Sequence, residues 1–268
     1  VLDVFRTEQN HFQSPYRFQR TDCAPSDTLP WEGMGNPVSY TGMTWCGFRP
    51  SDDACEFGYL VPSNLFAVRA LASAAVLARK MGEEALAQEA ESLRAQIAEG
   101  VKEYGMMEHP RFGTIYAYET DGFGNYNLMD DANVPSLMAL PYLEVCGADD
   151  PIYRNTRSFV LSSSNPYYYE GALAKGVGSP HTPEGYIWPI ALCVQAMTST
   201  DDAEILSLVK MLLSTHGGTG FMHESFYKHD SEVFTREWFA WQNGLFGELI
   251  LKIIADGKID LLNSIKIK

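Results

Sequence analysis

An all-α chain, its helices paired and set side by side into a helical barrel (toroid), is the fold this sequence predicts. Three observations predict it. Helix-length runs come in pairs, the first rich in Ala, Leu and Val and the second charged along one side. Aromatic, acidic and Gly-rich loops fall just ahead of the first helix of each pair. Strand signals are sparse. A buried helix followed by a half-wetted one is what two concentric rings of helices require.

The first pair is Ser63 to Met81 and Glu83 to Tyr104, where Glu84, Glu91, Arg94 and Lys102 interleave with Ala, Leu and Ile. Asn133 to Val145 and Ile152 to Ser162 make the second. Trp188 to Thr198 and Asp201 to Ser214 make the third, with Asp201 or Asp202 placed to cap the latter. A last helix runs from about Trp238 to Ala255. The best strand signal, Thr114-Ile115-Tyr116-Ala117-Tyr118, reads as a ribbon within a loop. First helices begin near residues 64, 133, 188 and 239. Four such units fall short of a closed six-pair toroid. The expectation is one catalytic domain over residues 1–268, a barrel lacking its N-terminal part. The start, Val1-Leu2-Asp3-Val4, has neither a signal-peptide pattern nor an initiator Met and reads as cut or processed.

A chain of 268 residues with 46% hydrophobic content can bury a large core. Its net charge of −14 argues against a nucleic-acid partner, which needs a Lys/Arg-rich face. No apolar run approaches the roughly 20 residues of a membrane span, so no membrane partner is expected. The five cysteines, Cys23, Cys46, Cys55, Cys146 and Cys193, are odd in number, scattered and without CxxC spacing. That pattern speaks against zinc and against a disulfide framework. Cys146 and Cys193 sit in apolar stretches as small core residues. A reducing, cytoplasmic setting is expected.

Cleaving a glycosidic bond takes an acid for the leaving oxygen and a second carboxylate across the sugar. Asp52 and Asp53 stand in a Pro-Ser-Asp-Asp turn ahead of the first long helix. Helix capping alone would explain such a turn. It would not explain the surrounding Trp45, Phe48, Arg49 and Phe57. Glu224 follows a Gly-rich approach, Gly217-Gly218-Thr219-Gly220, which lets backbone come close to a ligand. A plain surface loop is the alternative there. His223 and Glu224 lack the HExxH spacing or second His-carboxylate pair of a metal site, so no metal and no cofactor are expected. Asp130 and Asp131 form another acidic pair, suited either to capping or to bonding sugar hydroxyls. Trp45, Tyr126, Tyr186, Trp188, Trp238 and Trp241 fall near these loops, and about half of them are expected in the core.

Five segments in order carry a family resemblance: FRPSDD (48–53), VPSNLFAV (61–68), DGFGNYNLMDDANVPSL (121–137), GSPHTPEGYIWP (178–189), and HESF followed by WFAWQN. From about residue 5 to 255 the chain resembles glycoside hydrolase family 125. That resemblance implies an (α/α)6 barrel and an inverting, exo-acting α-1,6-mannosidase working on a mannose-containing oligosaccharide such as an N-glycan. It implies a general acid in FRPSDD and a general base at Glu224. Comparison with the SGxD turn of other helical-barrel glycosidases favours Asp52 over Asp53 as the acid. Substrate contacts are expected from Arg49, Ser51, Asp53, Asp130, Asp131, Asn133, His181, Tyr186, Trp188 and His223. Family members are longer at the N-terminus, and Glu237 stands where a Pro is expected before WFAW. The alternatives are another (α/α)6 glycosidase such as an α-glucosidase, a polysaccharide lyase, or a non-catalytic sugar-binding relative. Fold alone does not separate them.

Overall fold

The computed structural model describes residues 1–265. Two compact units make up the chain: Val1–Met129 with Pro135–Thr156, and Asp130–Val134 with Arg157–Lys268. The first contains α1 (Leu2–Glu8), the short left-handed turn α2 (Pro30–Gly33), β1 (Tyr59–Leu60), α3 (Val61–Lys80) and α4 (Glu84–Tyr104). Then follow β2 (Met106–His109), β3 (Gly113–Tyr116), β4 (Glu119–Thr120) and β5 (Tyr126–Asn127). Helix α5 (Pro151–Val160) contains the point where the chain leaves this unit.

Helices α3 and α4 form a hairpin because α3 stops just ahead of Gly82. Gly82 takes the left-handed φ of +81°. There its N–H donates to the Arg79 carbonyl and the Glu83 N–H to the Ala78 carbonyl, closing the helix end. Ala67, Leu71, Ala75 and Ala78 of α3 then pack on Ala87, Ala90, Leu93 and Ile97 of α4, with Leu2 and Phe5 of α1 laid against them. Burying each of the larger aliphatic side chains stabilises the pair by about 1.5–3 kcal/mol. By length and composition α3 could cross a membrane, which corrects the expectation that no run approaches that length. Its small-residue face on α4 is what a core helix would show.

The N-terminus of α3 is fixed from within. Asn64, 1% exposed, accepts the Thr44 N–H at 2.8 Å and donates to the carbonyls of Thr44 and Leu60. This ties residues 44–60 to the helix that follows. Within that segment Gly58 lies so close to Trp45 that a Cβ would sit 2.1 Å from the indole nitrogen. No other residue fits there.

In the second unit β6 (Tyr168–Glu170) and β7 (Lys175–Val177) form one ribbon. Strands β8 (Tyr186–Ile187), β9 (Ser225–Tyr227) and β10 (Asp230–Thr235) form an antiparallel sheet in the order β10-β9-β8. Helix α6 (Pro189–Met197) is buried at eight of its nine positions and contacts both α7 (Asp202–Ser214) and α8 (Ala240–Ala255). The short α9 (Ile259–Asn263) lies beside α7. Asp201 caps α7, its carboxylate accepting the Ala203 N–H at 2.9 Å.

Two sequence expectations need correction. Asn133 to Val145 is a run of turns, not a helix. Pro141 has no N–H, and its ring would strike the carbonyl four residues back, while Glu144 takes a φ of +56°. The chain is also not purely helical. Among the described residues ten strands of two to six residues occupy the loops, including β3, which overlaps the 114–118 signal and pairs with β2. Strands so short carry too little alternation to be read from sequence.

Candidate functional site

In the first unit the 46–57 segment folds back on itself. Phe48 and Ala54 form an antiparallel bridge. The Asp52 N–H donates to the Arg49 carbonyl at 2.9 Å, closing a β-turn with Pro50 in its second position. The Arg49 N–H in turn donates to the Asp53 carbonyl at 2.7 Å. Asp52 takes a φ of +74°, a conformation Asp tolerates better than most residues. The turn separates the neighbouring acids: Asp52 is exposed, whereas Ser51 and Asp53 are buried.

What holds this loop is a carboxylate that sequence reasoning missed. Glu119 is 0% exposed. Its Oε1 accepts the Arg49 Nε–H at 2.6 Å. Its Oε2 accepts the Glu56 and Phe57 N–H groups at 3.1 and 3.2 Å and the Asn127 side-chain amide at 3.1 Å. Burial penalises the Arg49 cation, but Glu119's hydrogen bond and charge outweigh it and raise its basicity above the ordinary value. The Arg49 guanidinium also lies 5.8 Å from the centre of the Tyr118 ring. Asp121 is spent on its own loop, accepting the N–H groups of Phe123 and Asn125.

In the second unit Asp130, Asp131 and Asn133 are each 1% exposed or less. Asp131 Oδ1 accepts both the backbone and the side-chain N–H of Asn133 at 3.2 Å. The Asp130 N–H donates to Asn165 Oδ1, and the Ala132 N–H to the Gly178 carbonyl. This acidic turn therefore runs beside the Gly178-Ser179-Pro180-His181 segment. His181 is exposed, its ring edge-on to Trp188 at 6.3 Å. Trp188 is 2% exposed, donates its indole N–H to Thr182 Oγ1 at 2.8 Å and packs edge-on against Phe239. Tyr186 is half-buried beside Tyr227.

His223 and Glu224 lead into β9 and are held by the far end of β10. Ser225 pairs with Thr235, its N–H donating to Thr235 Oγ1 at 3.1 Å. The buried His223 ring stacks on Phe234 at 3.8 Å, and its Nδ1 lies 2.8 Å from the Glu237 carbonyl. A ring nitrogen facing a carbonyl carries a proton, so in the neutral ring Nε2 is the acceptor. No side chain or backbone group among the described residues reaches that Nε2. Glu224 is 6% exposed, and its Oε1 lies 3.0 Å from Arg236 Nε. Arg236, the second residue missed from sequence, takes a φ of +46° and rests its guanidinium 5.5 Å from the centre of the Phe239 ring.

Thus Arg49, Ser51, Asp52 and Asp53 come together in the first unit. The second gathers Asp130, Asp131, Asn133, His181 and Trp188 along one segment and His223 with Glu224 on another, with Phe239 touching both Trp188 and Arg236. Among the described residues no three His, Cys, Asp or Glu side chains cluster as a metal site would need.

Comparison with known proteins agrees with the resemblance. The model of the family described as metal-independent alpha-mannosidase (GH125) matches residues 1–251. The Meiotically up-regulated gene 157 protein of Schizosaccharomyces pombe (strain 972 / ATCC 24843) is 43% identical over 241 residues, 89% of this chain and 47% of that protein. A Streptococcus pneumoniae metal-independent alpha mannosidase, solved in a non-productive complex with alpha-1,6-mannobiose, superposes with a TM-score of 0.93 at 46% identity. It is covered over 95% of this chain and 60% of its own. A bacterial glucoamylase complexed with acarbose shares the fold alone, at 16% identity and a TM-score of 0.57, over 76% of this chain and 34% of its own. The chain spans about half the length of the curated relative it matches. With the family model matched across residues 1–251, this chain belongs to the GH125 family of metal-independent α-mannosidases.

Proposed function

We propose that this chain carries the chemistry of an inverting exo-α-mannosidase acting on α-1,6-linked mannose, on an (α/α)6 scaffold and without a metal. One observation carries the reading: the family match over residues 1–251 spans both carboxylate segments, FRPSDD and HESF. In this reading the exposed Asp52 protonates the departing glycosidic oxygen. Glu224 removes a proton from water, which attacks C1 from the opposite face and gives β-mannose. Arg236 engages Glu224 Oε1, which leaves Oε2 for the water.

The remaining residues are proposed to hold the sugar. His223 offers a buried Nε2 acceptor suited to a sugar hydroxyl. Asp130, Asp131 and Asn133 offer a polar cluster, with His181, Tyr186 and Trp188 on the neighbouring segment. Arg49, Ser51 and Asp53 surround the acid turn. The bound alpha-1,6-mannobiose of the Streptococcus relative supports this substrate class, and the family's metal independence supports the two-carboxylate route.

The test is hydrolysis of an aryl α-mannoside and of α-1,6-mannobiose, with maltose in parallel and the first-formed anomer read by NMR. Release of β-mannose from the mannosides alone is expected. An α-anomer as first product, or preference for maltose, would overturn the reading.

A further inference from the structure

The loop that presents Arg49, Ser51, Asp52 and Asp53 is bracketed by two cysteines. Cys46 stands at its entry and Cys55 at its exit. The Cys55 N–H donates to the Gly47 carbonyl at 2.9 Å and the Cys46 N–H to the Gly58 carbonyl at 2.8 Å, so the two limbs lie against each other. Between them the Phe48–Ala54 bridge draws the limbs together. The two thiols lie close enough for each to shift the other's acidity, and the Cys46 thiol donates to the Phe48 carbonyl oxygen at 2.9 Å. Both cysteines are free in this structure. Two cysteines on limbs that hydrogen-bond to each other at these positions are within reach of a disulfide.

We infer that Cys46 and Cys55 form an oxidation site, a dithiol that a hydroperoxide converts to a disulfide across the base of the acid loop. The two sulfurs differ in a way that suits the reaction. The neighbouring Cys55 thiol holds the Cys46 thiol below its ordinary range against the opposing effect of burial, whereas Cys46 and burial push Cys55 well above it. Cys46 is also the more accessible of the pair. Cys46 is therefore the attacking sulfur and Cys55 the resolving one. The Cys46 thiolate attacks one oxygen of hydrogen peroxide, which supplies the oxidant; the O–O bond breaks, the sulfur becomes the sulfenic acid, and the expelled hydroxide takes up the proton the thiol released and leaves as water. Cys55, giving up its proton, then attacks that sulfur and expels hydroxide, which takes the proton and leaves as water. Two thiols and one peroxide give one disulfide and two waters, with two electrons passing from sulfur to oxygen.

The consequence falls on the loop. A disulfide fixes the separation and torsion of the two limbs, while the Arg49–Glu119 pair already fixes their far side. Tying both ends re-aims the turn that carries Asp52. Any effect on mannoside hydrolysis rests on the proposed role of Asp52, but formation of the disulfide does not.

The experiment uses the reduced full chain, treated with a small excess of hydrogen peroxide, blocked with iodoacetamide and cut on the N-terminal side of aspartate. Cleavage at Asp52 or Asp53 separates Cys46 from Cys55, so the two peptides stay joined only through the disulfide. The expected result is that linked pair, absent in Cys46→Ser and in Cys55→Ser and retained in Cys23→Ser. In the activity arm, peroxide should lower aryl mannoside turnover by about tenfold or more, as misplacing a catalytic group by roughly 1 Å does. A thiol reductant should restore it, and Cys46→Ser should not respond. Full alkylation of both cysteines after peroxide, or a linkage through Cys23, would overturn the inference. A linked pair in a chain with no mannosidase activity when reduced would support the oxidation site and reject the proposed function instead.

Discussion

Replacing Glu119 with Ala should be among the most damaging single changes outside the proposed catalytic carboxylates. The side chain is 0% exposed and its Arg49 partner 8%, so water screens neither charge. Four donors converge on it: Arg49 Nε, the Glu56 and Phe57 N–H groups and the Asn127 amide. Leaving a buried charge without its partner costs about 3–5 kcal/mol. The two orphaned backbone N–H groups would add about 1–3 kcal/mol each if they stayed dry. Water entering the vacated space relieves part of this, so the lower end, about 3–5 kcal/mol in all, is the expected loss. In a chain of this size that lowers Tm by roughly 6–20 °C. Calorimetry or a thermal melt of Glu119→Ala beside Glu119→Gln reads it, the Gln variant keeping an acceptor and losing less. A double variant, Arg49→Met with Glu119→Leu, removes the stranded charge and should recover much of the loss. It should not recover all of it, because Glu56 and Phe57 still lack an acceptor. A Glu119→Ala chain within about 1 kcal/mol of the parent would refute the account of this loop, since surface-like tolerance is incompatible with a buried pair.

Three further outcomes are expected. Asp52→Asn should harm α-1,6-mannobiose, whose leaving oxygen needs a proton, far more than an activated aryl mannoside, whereas Glu224→Gln should harm both alike; equal losses for Asp52→Asn on the two substrates would move the acid elsewhere. Hydrolysis should survive EDTA, and complete loss restored by a divalent ion would end the two-carboxylate account. Burial opposes ionisation of Glu204, but hydrogen bonds from Ser199, Gln195 and Arg157 more than compensate and hold its carboxyl below the ordinary 4.5. A depressed folded value stabilises above 4.5 and is lost as pH falls through the folded value, so Glu204→Gln should flatten the acid side of the stability profile below about pH 4.5.

The helix pairs at 61–104 and 189–214 were legible because a long run repeats its apolar spacing often enough to be recognised. The 133–145 stretch carries the same composition, and there Pro141 outweighs the spacing. The acid turn was legible as a turn, since Pro and paired Asp residues have local preferences. Its anchor was not. Glu119 meets Arg49 across 70 positions, and a chain read locally gives no sign of that pairing. A carboxylate directly after the apolar Ile115-Tyr116-Ala117-Tyr118 run was the available hint, because such a group is buried only with a partner. Arg236 escaped notice for a similar reason: attention to the WFAW segment rested on Glu237, whose backbone carbonyl bonds His223, while its neighbour contacts Glu224.

The left-handed backbone at Asp52 limits which residues can replace it, both in the laboratory and over evolutionary time. Asn shares the tolerance of Asp for this conformation, so Asp52→Asn changes charge and little else, while Ala there adds a backbone cost of about 1–2 kcal/mol and mixes two effects in one measurement. The same restriction bears on the choice between the two acidic amino acids. Glu is less at home than Asp at positive φ, so a drift from Asp to Glu at residue 52 would disturb the loop even though the functional group is unchanged. Backbone shape, as well as acidity, therefore favours the shorter acid at this position.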